Sequence, residues 1–414
     1  MMRTSAWRTN RFRCWTIPCI TIRKVYVRSF KSSVAIPLDF RQVSGYLFRK
    51  PASEPTQFPD SGYDLIDPSL NVEEENNAGY NPLRFSPVRI GEVFKSRYQV
   101  VGKLGYGSSS TVWLCRDLES RIYNTLKVYT TSSRENREVS VYKHLQSVRS
   151  RHAGQNRVRA LLDSFEIHGQ HGQSSHQCLV HPPLGMSLWQ LMRLFPGCTF
   201  TEKLLKATLV NLFTALNYLH DEAGVIHTDL QPHNILLGFK DESILAQYEK
   251  QELQDPWPRK IDGDRVIYES RPLPPSFGDP VLCDLSEARF GDQEHDDDVM
   301  PDIYRAPEVV LGMKWDSKID IWNVGVMIWG LFESNHLFYG KNVKRILSDK
   351  YHLSEMIALL GPPPVHFLER SSNSFNYFDE KGLSSASSLG RVMLIAHRDL
   401  EGACTNTHQL SRAA

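Results

Sequence analysis

From Tyr98 onward the chain alternates short β-branched runs with turn residues. Tyr98-Gln99-Val100-Val101 predicts a strand, residues 105–110 a turn, 111–115 a second strand and 124–129 a third. The period then changes. Val139, Tyr142 and Leu145 recur at helical spacing and predict a helix over 134–148. A long apolar-periodic helix is predicted over 204–220, and a second, more apolar and buried one lies within 315–332. Ile235-Leu236-Leu237 reads as a short apolar strand. Strands first and helices later predict an α+β chain, with a small β-rich lobe followed by a mainly helical one. No internal repeat is visible.

Composition changes the picture mostly at the ends. The 414 residues suggest about three domains as a soft prior, and 41% hydrophobic with 23% charged residues describes a globular chain. The longest apolar run, Val324 to Phe332, is far short of the roughly 20 residues of a membrane helix, so no membrane span is expected. Seven scattered cysteines with no Cys-x-x-Cys pair indicate neither a disulfide framework nor a zinc ribbon. A reducing, intracellular compartment, cytoplasm or nucleus, fits best. Residues 1–38 hold eight Lys or Arg and no acid, whereas the rest of the chain carries 40 basic and 47 acidic residues. That extension matches mitochondrial transit composition, which keeps the mitochondrion as the alternative location; a disordered basic arm is the bland reading. The acidic body argues against nucleic acid as a partner. Residues 39–97 read as a linker and lead-in, with Glu73-Glu74-Glu75 solvated.

Chemistry concentrates in four places. Leu104-Gly105-Tyr106-Gly107, followed by Ser108 to Val112, sets two glycines between strands, where backbone N–H groups can approach a phosphate. Lys127 stands twenty residues after Gly107 on an inward strand face. A lysine there needs an anion, because burying an unpaired ammonium is costly. Phosphates and a helix carboxylate would both serve; Glu138 is the candidate and Glu135 the alternative on the same helix. His227-Thr228-Asp229-Leu230-Gln231-Pro232-His233-Asn234 has an Asp followed five residues later by an Asn. That spacing suits phosphoryl transfer, with the Asp accepting or orienting a hydroxyl and the Asn binding Mg²⁺. Fifty residues beyond Asn234, Asp284 ends an apolar run and fits a Mg²⁺ ligand that bridges phosphates.

With Ala306-Pro307-Glu308 and Asp320-Ile321-Trp322 added, these ordered motifs resemble a eukaryotic protein kinase. More narrowly, Gly79-Tyr80, Val88 to Glu92, Ser110 to Cys115, His227-Thr228-Asp229, Asp302 to Glu308 and Trp315 to Trp322 are similar to the serine/arginine-protein kinase group, especially its fungal members. The resemblance covers residues 79–380. It implies a bilobal fold, with residues 98–185 as β-rich lobe and hinge and 186–380 as helical lobe interrupted by a surface insert, 239–280. It implies ATP and Mg²⁺, and transfer of phosphate to Ser or Thr of basic or Arg/Ser-rich proteins. Asp229, Lys127 and Glu138 then carry catalysis, and Asn234 and Asp284 hold the metal. Leu104, Gly105, Gly107, Val112 and Lys127 hold the nucleotide, with the carbonyl of Pro182 and the N–H of Leu184 meeting adenine. The chain is read as a monomer.

Thr228 stands where many kinases have an Arg that pairs with a phosphate on the segment 284–308. That segment has only Ser286 and Tyr304 as hydroxyl residues, so activity without its phosphorylation is expected. It also carries nine acids against Arg289 and Arg305, a field that would steer a basic peptide inward. Other departures are Ser110 for a third glycine, Thr125 for a small Ala, His181 as gatekeeper and Ser286 for a glycine. Gln231 replaces a Lys on the transferring phosphate, a loss of about 10²- to 10³-fold. After residue 381 the resemblance stops, and 381–414 is Ser/Ala-rich and irregular. A truncated helical lobe is therefore expected, with Glu308 short of its partner and the helix from Ile319 short of cover. On these departures the alternative reading is an ATP-binding pseudokinase or scaffold.

Overall fold

Six short strands carry the β-rich lobe: β1 (Val93–Phe94), β2 (Tyr98–Tyr106), β3 (Ser110–Asp117), β4 (Tyr123–Tyr129), β5 (Asp163–His168) and β6 (Ser175–His181). They form one antiparallel sheet in the order β1-β2-β3-β4-β6-β5. The computed structural model describes residues 52–131, 137–168, 175–342 and 344–378. The extension 1–38, the tail 381–414 and Glu135 lie outside the described residues.

Alternation decides the faces. Val100, Trp113, Cys115, Leu126, Val128, Cys178 and Val180 bury one side of the sheet. The strands are longer than local pattern predicts, because β2 continues through Gly105 and Tyr106. After β4 comes α1 (Arg137–Ser147), which buries Val139, Val141, Tyr142 and Leu145.

The helical lobe holds α2 (Leu188–Met192), α3 (Glu202–Asn217), α5 (Pro307–Val310) and α6 (Lys318–Glu333). Thr201 caps α3 by accepting from the Leu204 N–H, and the helix passes into a π turn at Tyr218–Glu222. Two ribbons frame the chemistry: β7 (Val225–Ile226) pairs with β12 (Arg289–Phe290), and β8 (Ile235–Leu237) with β11 (Pro280–Leu282). Ile319, Val324, Met327 and Leu331 of α6 are fully buried, so this helix keeps its cover. Glu308 is likewise not without a partner.

The insert between β8 and β11 contains α4 (Ser243–Gln254) and the hairpin β9 (Arg259–Asp262) and β10 (Arg265–Tyr268). It is more than a surface loop. Leu245 and Tyr248 pack on Val101 and Leu114 of the sheet, and the Tyr248 hydroxyl donates to the Lys103 carbonyl (2.9 Å). A Cβ at Gly102 would sit 2.6 Å from that hydroxyl, so only glycine admits the tyrosine. Glu252, buried, lies between Arg259 (3.3 Å) and Arg271 (2.9 Å).

The acid run before β1 is not solvated. Glu73 (2.8 Å) and Glu74 pair with Lys103, and Glu75 pairs with Lys260 (3.0 Å). The reason is supply: β2 and β9 each present a buried lysine that needs a carboxylate.

The chain divides into two compact units, one spanning 52–349 and one taking in 350 onward. The second takes in α7 (Asp349–Leu360) after its first residue, then α8 (Val365–Leu368) and a 3-10 turn at Ser372–Asn376. No helix among the described residues is long and apolar enough to cross a membrane. Cys115, Cys178, Cys198 and Cys283 are free.

Candidate active site

Strand register sets the first group of candidates side by side. Gly105 pairs with Val112, Val112 with Lys127, and Lys127 with Leu179. Leu104 and Gly107 flank Gly105 on the same hairpin. The Gly107 N–H donates to the Ser110 carbonyl (2.8 Å) and closes the turn. From the lead-in, Asn77 Nδ2 donates to the Gly107 carbonyl (3.1 Å). One residue past β6, Pro182 is half-buried and its carbonyl accepts from Arg159 (3.3 Å). A carbonyl has a second lone pair to offer. Beyond Leu184, the Gly185 N–H donates to Leu237 (2.7 Å) and ties this crossing to β8. His181 is buried, and its Nδ1 lies 2.8 Å from the Ala160 carbonyl; burial and the nearby Arg159 hold its pKa well down.

Lys127 brings the two lobes' chemistry together. Its Nζ donates to Glu138 Oε2 (2.9 Å) and to Asp284 Oδ1 (3.2 Å). Glu138 on α1, the first of the two acids the sequence offered, is an ion-pair partner of Lys127. Burial acts to lower the lysine pKa, but Glu138 and Asp284 overcome it and hold it well above the ordinary value. Burial would raise the Asp284 carboxyl, yet Lys127 and Ser286 hold it at about 2. Ser286, in the place of a glycine, thus has a function here: its side chain supports the charged form of Asp284. Asp284 sits at φ 63°, a left-handed conformation that costs strain and recurs at functional positions.

The turn before β8 holds Asp229 and Asn234. Asn234 Nδ2 donates to the Asp229 carbonyl (2.8 Å) and to Asp229 Oδ2 (2.7 Å). Gln231 Nε2 donates to the other oxygen, Oδ1 (3.0 Å). Burial raises the Asp229 pKa; His227, Asn234 and Gln231 pull against it, and Asp284 adds to the rise. This carboxylate is oriented by two amides.

Several supporting residues escaped sequence reading. Asp320, fully buried on α6, accepts from the backbone N–H groups of His227 and Thr228 (2.8 Å each) and lies 2.8 Å from His220 Nε2. It pins a loop whose Thr228 has φ 67°, strained for a β-branched residue. Its motif with Ile321 and Trp322 was visible; its partners were not. His227 donates from Nε2 to the Cys283 carbonyl (3.0 Å) and accepts the Asp229 N–H at Nδ1 (3.3 Å), so it bridges the Asp229 loop to Asp284's neighbour. Tyr129 donates to Glu138.

The acids of segment 284–308 are largely engaged. Glu287 meets Arg137, Asp297 meets Arg289, Glu294 meets Lys314, and Arg305 lies between Asp298, Asp302 and Asp349. Of these cations Arg137 and Lys314 lie outside the segment, so a charge count within it leaves them out.

Residues 98–248 match the protein kinase domain family model. A serine/threonine protein kinase of Aspergillus fumigatus is 45% identical over 348 residues, covering 83% of this chain and 84% of that one. The serine/threonine-protein kinase SRPK of Physarum polycephalum is 32% identical, covering 78% and 79%. Protein kinase dsk1 of Schizosaccharomyces pombe is 26% identical, covering 76% and 75%. A crystal structure of a kinase domain superposes with a TM-score of 0.58 at 23% identity, covering 78% of this chain and 88% of that one.

Proposed function

The chain belongs to the serine/threonine protein kinases, and from that premise we propose that it transfers the γ-phosphate of ATP to Ser or Thr of basic, Arg/Ser-rich proteins. One observation carries the reading: Lys127 joined at once to Glu138 and Asp284, with Asp229 and Asn234 hydrogen-bonded beside them.

In this reading Lys127 grips the phosphates of ATP, and Glu138 keeps its ammonium aimed. The backbone of Gly105 and Gly107 covers them. Pro182 and Leu184 meet the adenine. Asp229 receives the hydroxyl proton of the substrate as its oxygen attacks phosphorus in line. Asn234 and Asp284 fit Mg²⁺. The amide Nδ2 of Asn234 is engaged by Asp229, which leaves its carbonyl oxygen free to ligate, and Asp284 stays ionised; both are the hard oxygen ligands this ion takes. Bound there, the ion would neutralise charge on the phosphates. Gln231 lacks the cation common at its position and orients Asp229 instead, so a slower rate than a lysine-bearing site is expected.

Basic substrates suit exposed Asp292 and Asp296, and surface pairs such as Asp298 with Arg305, for which an arginine peptide can compete. The resemblance to SRPK of Physarum polycephalum favours the same substrate class. The many ion pairs that already order segment 284–308 favour activity without its phosphorylation. Free cysteines and use of ATP suit an intracellular location.

The test is Mg²⁺-dependent phosphate transfer from ATP to an Arg/Ser-repeat peptide, with an acidic Ser peptide alongside and Asp229→Asn as control. Transfer to the basic peptide should exceed transfer to the acidic one, and fall about 10²- to 10⁴-fold in the variant. Equal residual signal in the variant would overturn the role of Asp229; preference for the acidic peptide would overturn the substrate class.

A further inference from the structure

Tyr129 lies two residues beyond Lys127 on β4, so both side chains leave the same face of the strand. Its hydroxyl donates to Glu138 Oε2, the oxygen that Lys127 also holds. The Lys127 ammonium lies 4.9 Å from the centre of the Tyr129 ring. The other Glu138 oxygen, Oε1, accepts from the Leu285 N–H (3.3 Å), next to Asp284. The carboxylate is therefore held from β4 by two groups and from the Asp284 turn by a third. The Tyr129 carbonyl in turn meets His176 Nδ1 (2.9 Å) on β6, which anchors this end of the strand.

We propose that Tyr129 is a positioning residue for the Lys127–Glu138 pair, fixing the Glu138 carboxylate with its hydroxyl and supporting the ammonium with its ring face. The proposal rests on the kinase reading of Lys127 but adds a group to which that reading assigns nothing. Its consequence is physical. When Lys127 shares its charge with phosphate, its hold on Glu138 weakens; a neutral donor on the same oxygen does not weaken with it. Glu138, and α1 behind it, stay in place while ATP is bound. The hydroxyl remains protonated to do this: burial first, and the Glu138 charge with it, push its pKa far above the ordinary range, against the pull of Lys127. A cation within about 6 Å of a tyrosine face adds a second, smaller attraction.

The experiment is Tyr129→Phe, which keeps the ring and removes the hydroxyl. Because Glu138 retains Lys127 and the Leu285 N–H, the variant should melt cooperatively and close to the parent. A hydrogen bond to a charged group predicts a loss of about tenfold in nucleotide affinity. Three readouts are taken: KM for ATP against kcat, affinity for a fluorescent ATP analogue, and amide exchange of residues 137–147. KM should rise with kcat little changed, and α1 should exchange faster. Combined with Glu138→Gln, the Tyr129→Phe effect should vanish, since both act through one carboxylate. Parent-like affinity and α1 exchange in Tyr129→Phe, or full additivity with Glu138→Gln, would overturn the proposal. The binding and exchange readouts need no turnover, so they decide it even if phosphate transfer fails and the kinase reading with it.

Discussion

Two lysines occupy the same sheet two strands apart, each held by two carboxylates, and they do different work. Lys103 on β2 meets Glu73 and Glu74 and donates to the Tyr268 carbonyl (2.9 Å). Lys127 on β4 meets Glu138 and Asp284. The Lys103 side chain is 1% exposed and its carboxylates 13% and 9%, whereas Lys127 is 12% exposed and Asp284 38%. Pairing alone is therefore no sign of a site. The sealed network holds the lead-in and the insert against the sheet. The other keeps one carboxylate, Asp284, partly open to solvent, where the proposed phosphate and ion would enter.

Breaking each network in turn gives the largest effects. Lys103→Met strands the buried Glu74 carboxylate, while Glu73 keeps the Ser270 N–H and hydroxyl, and removing one member of such a cluster costs about 3–5 kcal/mol. The melting temperature should drop sharply, while activity per folded molecule is largely kept. Lys127→Met should do the reverse. Loss of one preorganised cation costs about 10²- to 10³-fold in phosphate transfer, and the melt should move less, because Glu138 keeps Tyr129 and the Leu285 N–H. Thermal scans and transfer rates on both variants decide the matter. If Lys103→Met melts like the parent, or Lys127→Met is the less stable of the two, the sealed-versus-open distinction fails.

The same contrast separates what was legible in the sequence from what was not. Strand alternation and helical spacing exposed the lobes, and motif spacing exposed Lys127, Asp229, Asn234 and Asp284, because loops of fixed length between regular elements set those distances. Glu138 was readable as one of two acids, with Glu135, on a predicted helix. The partners of Lys103 were not. They stand 29 and 30 residues before it, in an acid run that local composition marks as solvated, and Tyr268 comes 165 residues later. Buried Glu252, flanked by Arg259 and Arg271, was hidden for the same reason: a long-range ion pair leaves no period. Gln231 was read as a missing cation; that its amide also orients Asp229 left no mark in the sequence. Spacing reveals which residue stands at a position, and only packing reveals what a replacement does there.

Acid should sharpen the comparison. Within the open network two carboxylates are pushed apart: Asp229 upward by burial, Asp284 down to about 2 by Lys127 and Ser286 against burial. Asp284, lower in the fold than its ordinary 3.8, contributes stability that is complete above about pH 4 and is lost as pH falls towards 2. Asp229 must be ionised to accept a proton, so kcat/KM should fall about tenfold per pH unit below an acid limb lying above the ordinary aspartate value. Activity should thus fail at a higher pH than the fold does. Gln231→Lys, which adds a cation beside Asp229, should move that limb downward. Parallel pH titrations of rate and of melting test this, and coincident loss of both would count against the assignment of Asp229.

The smallest effect lies where the two networks meet. The turn that supplies Glu73 and Glu74 to Lys103 ends at Asn77, whose amide donates to the Gly107 carbonyl in the glycine turn. Through this bond the sealed region reaches the glycine hairpin, proposed to cover the nucleotide, without touching Lys127. Asn77→Ala removes one exchangeable hydrogen bond, worth about 1 kcal/mol. If the lead-in positions the glycine turn, KM for ATP should rise about fivefold, and the Lys103 cluster, left intact, should keep the melt unchanged. If KM holds and only the melt shifts, the lead-in serves stability alone. The two lysines would then belong to networks that share a sheet but no function.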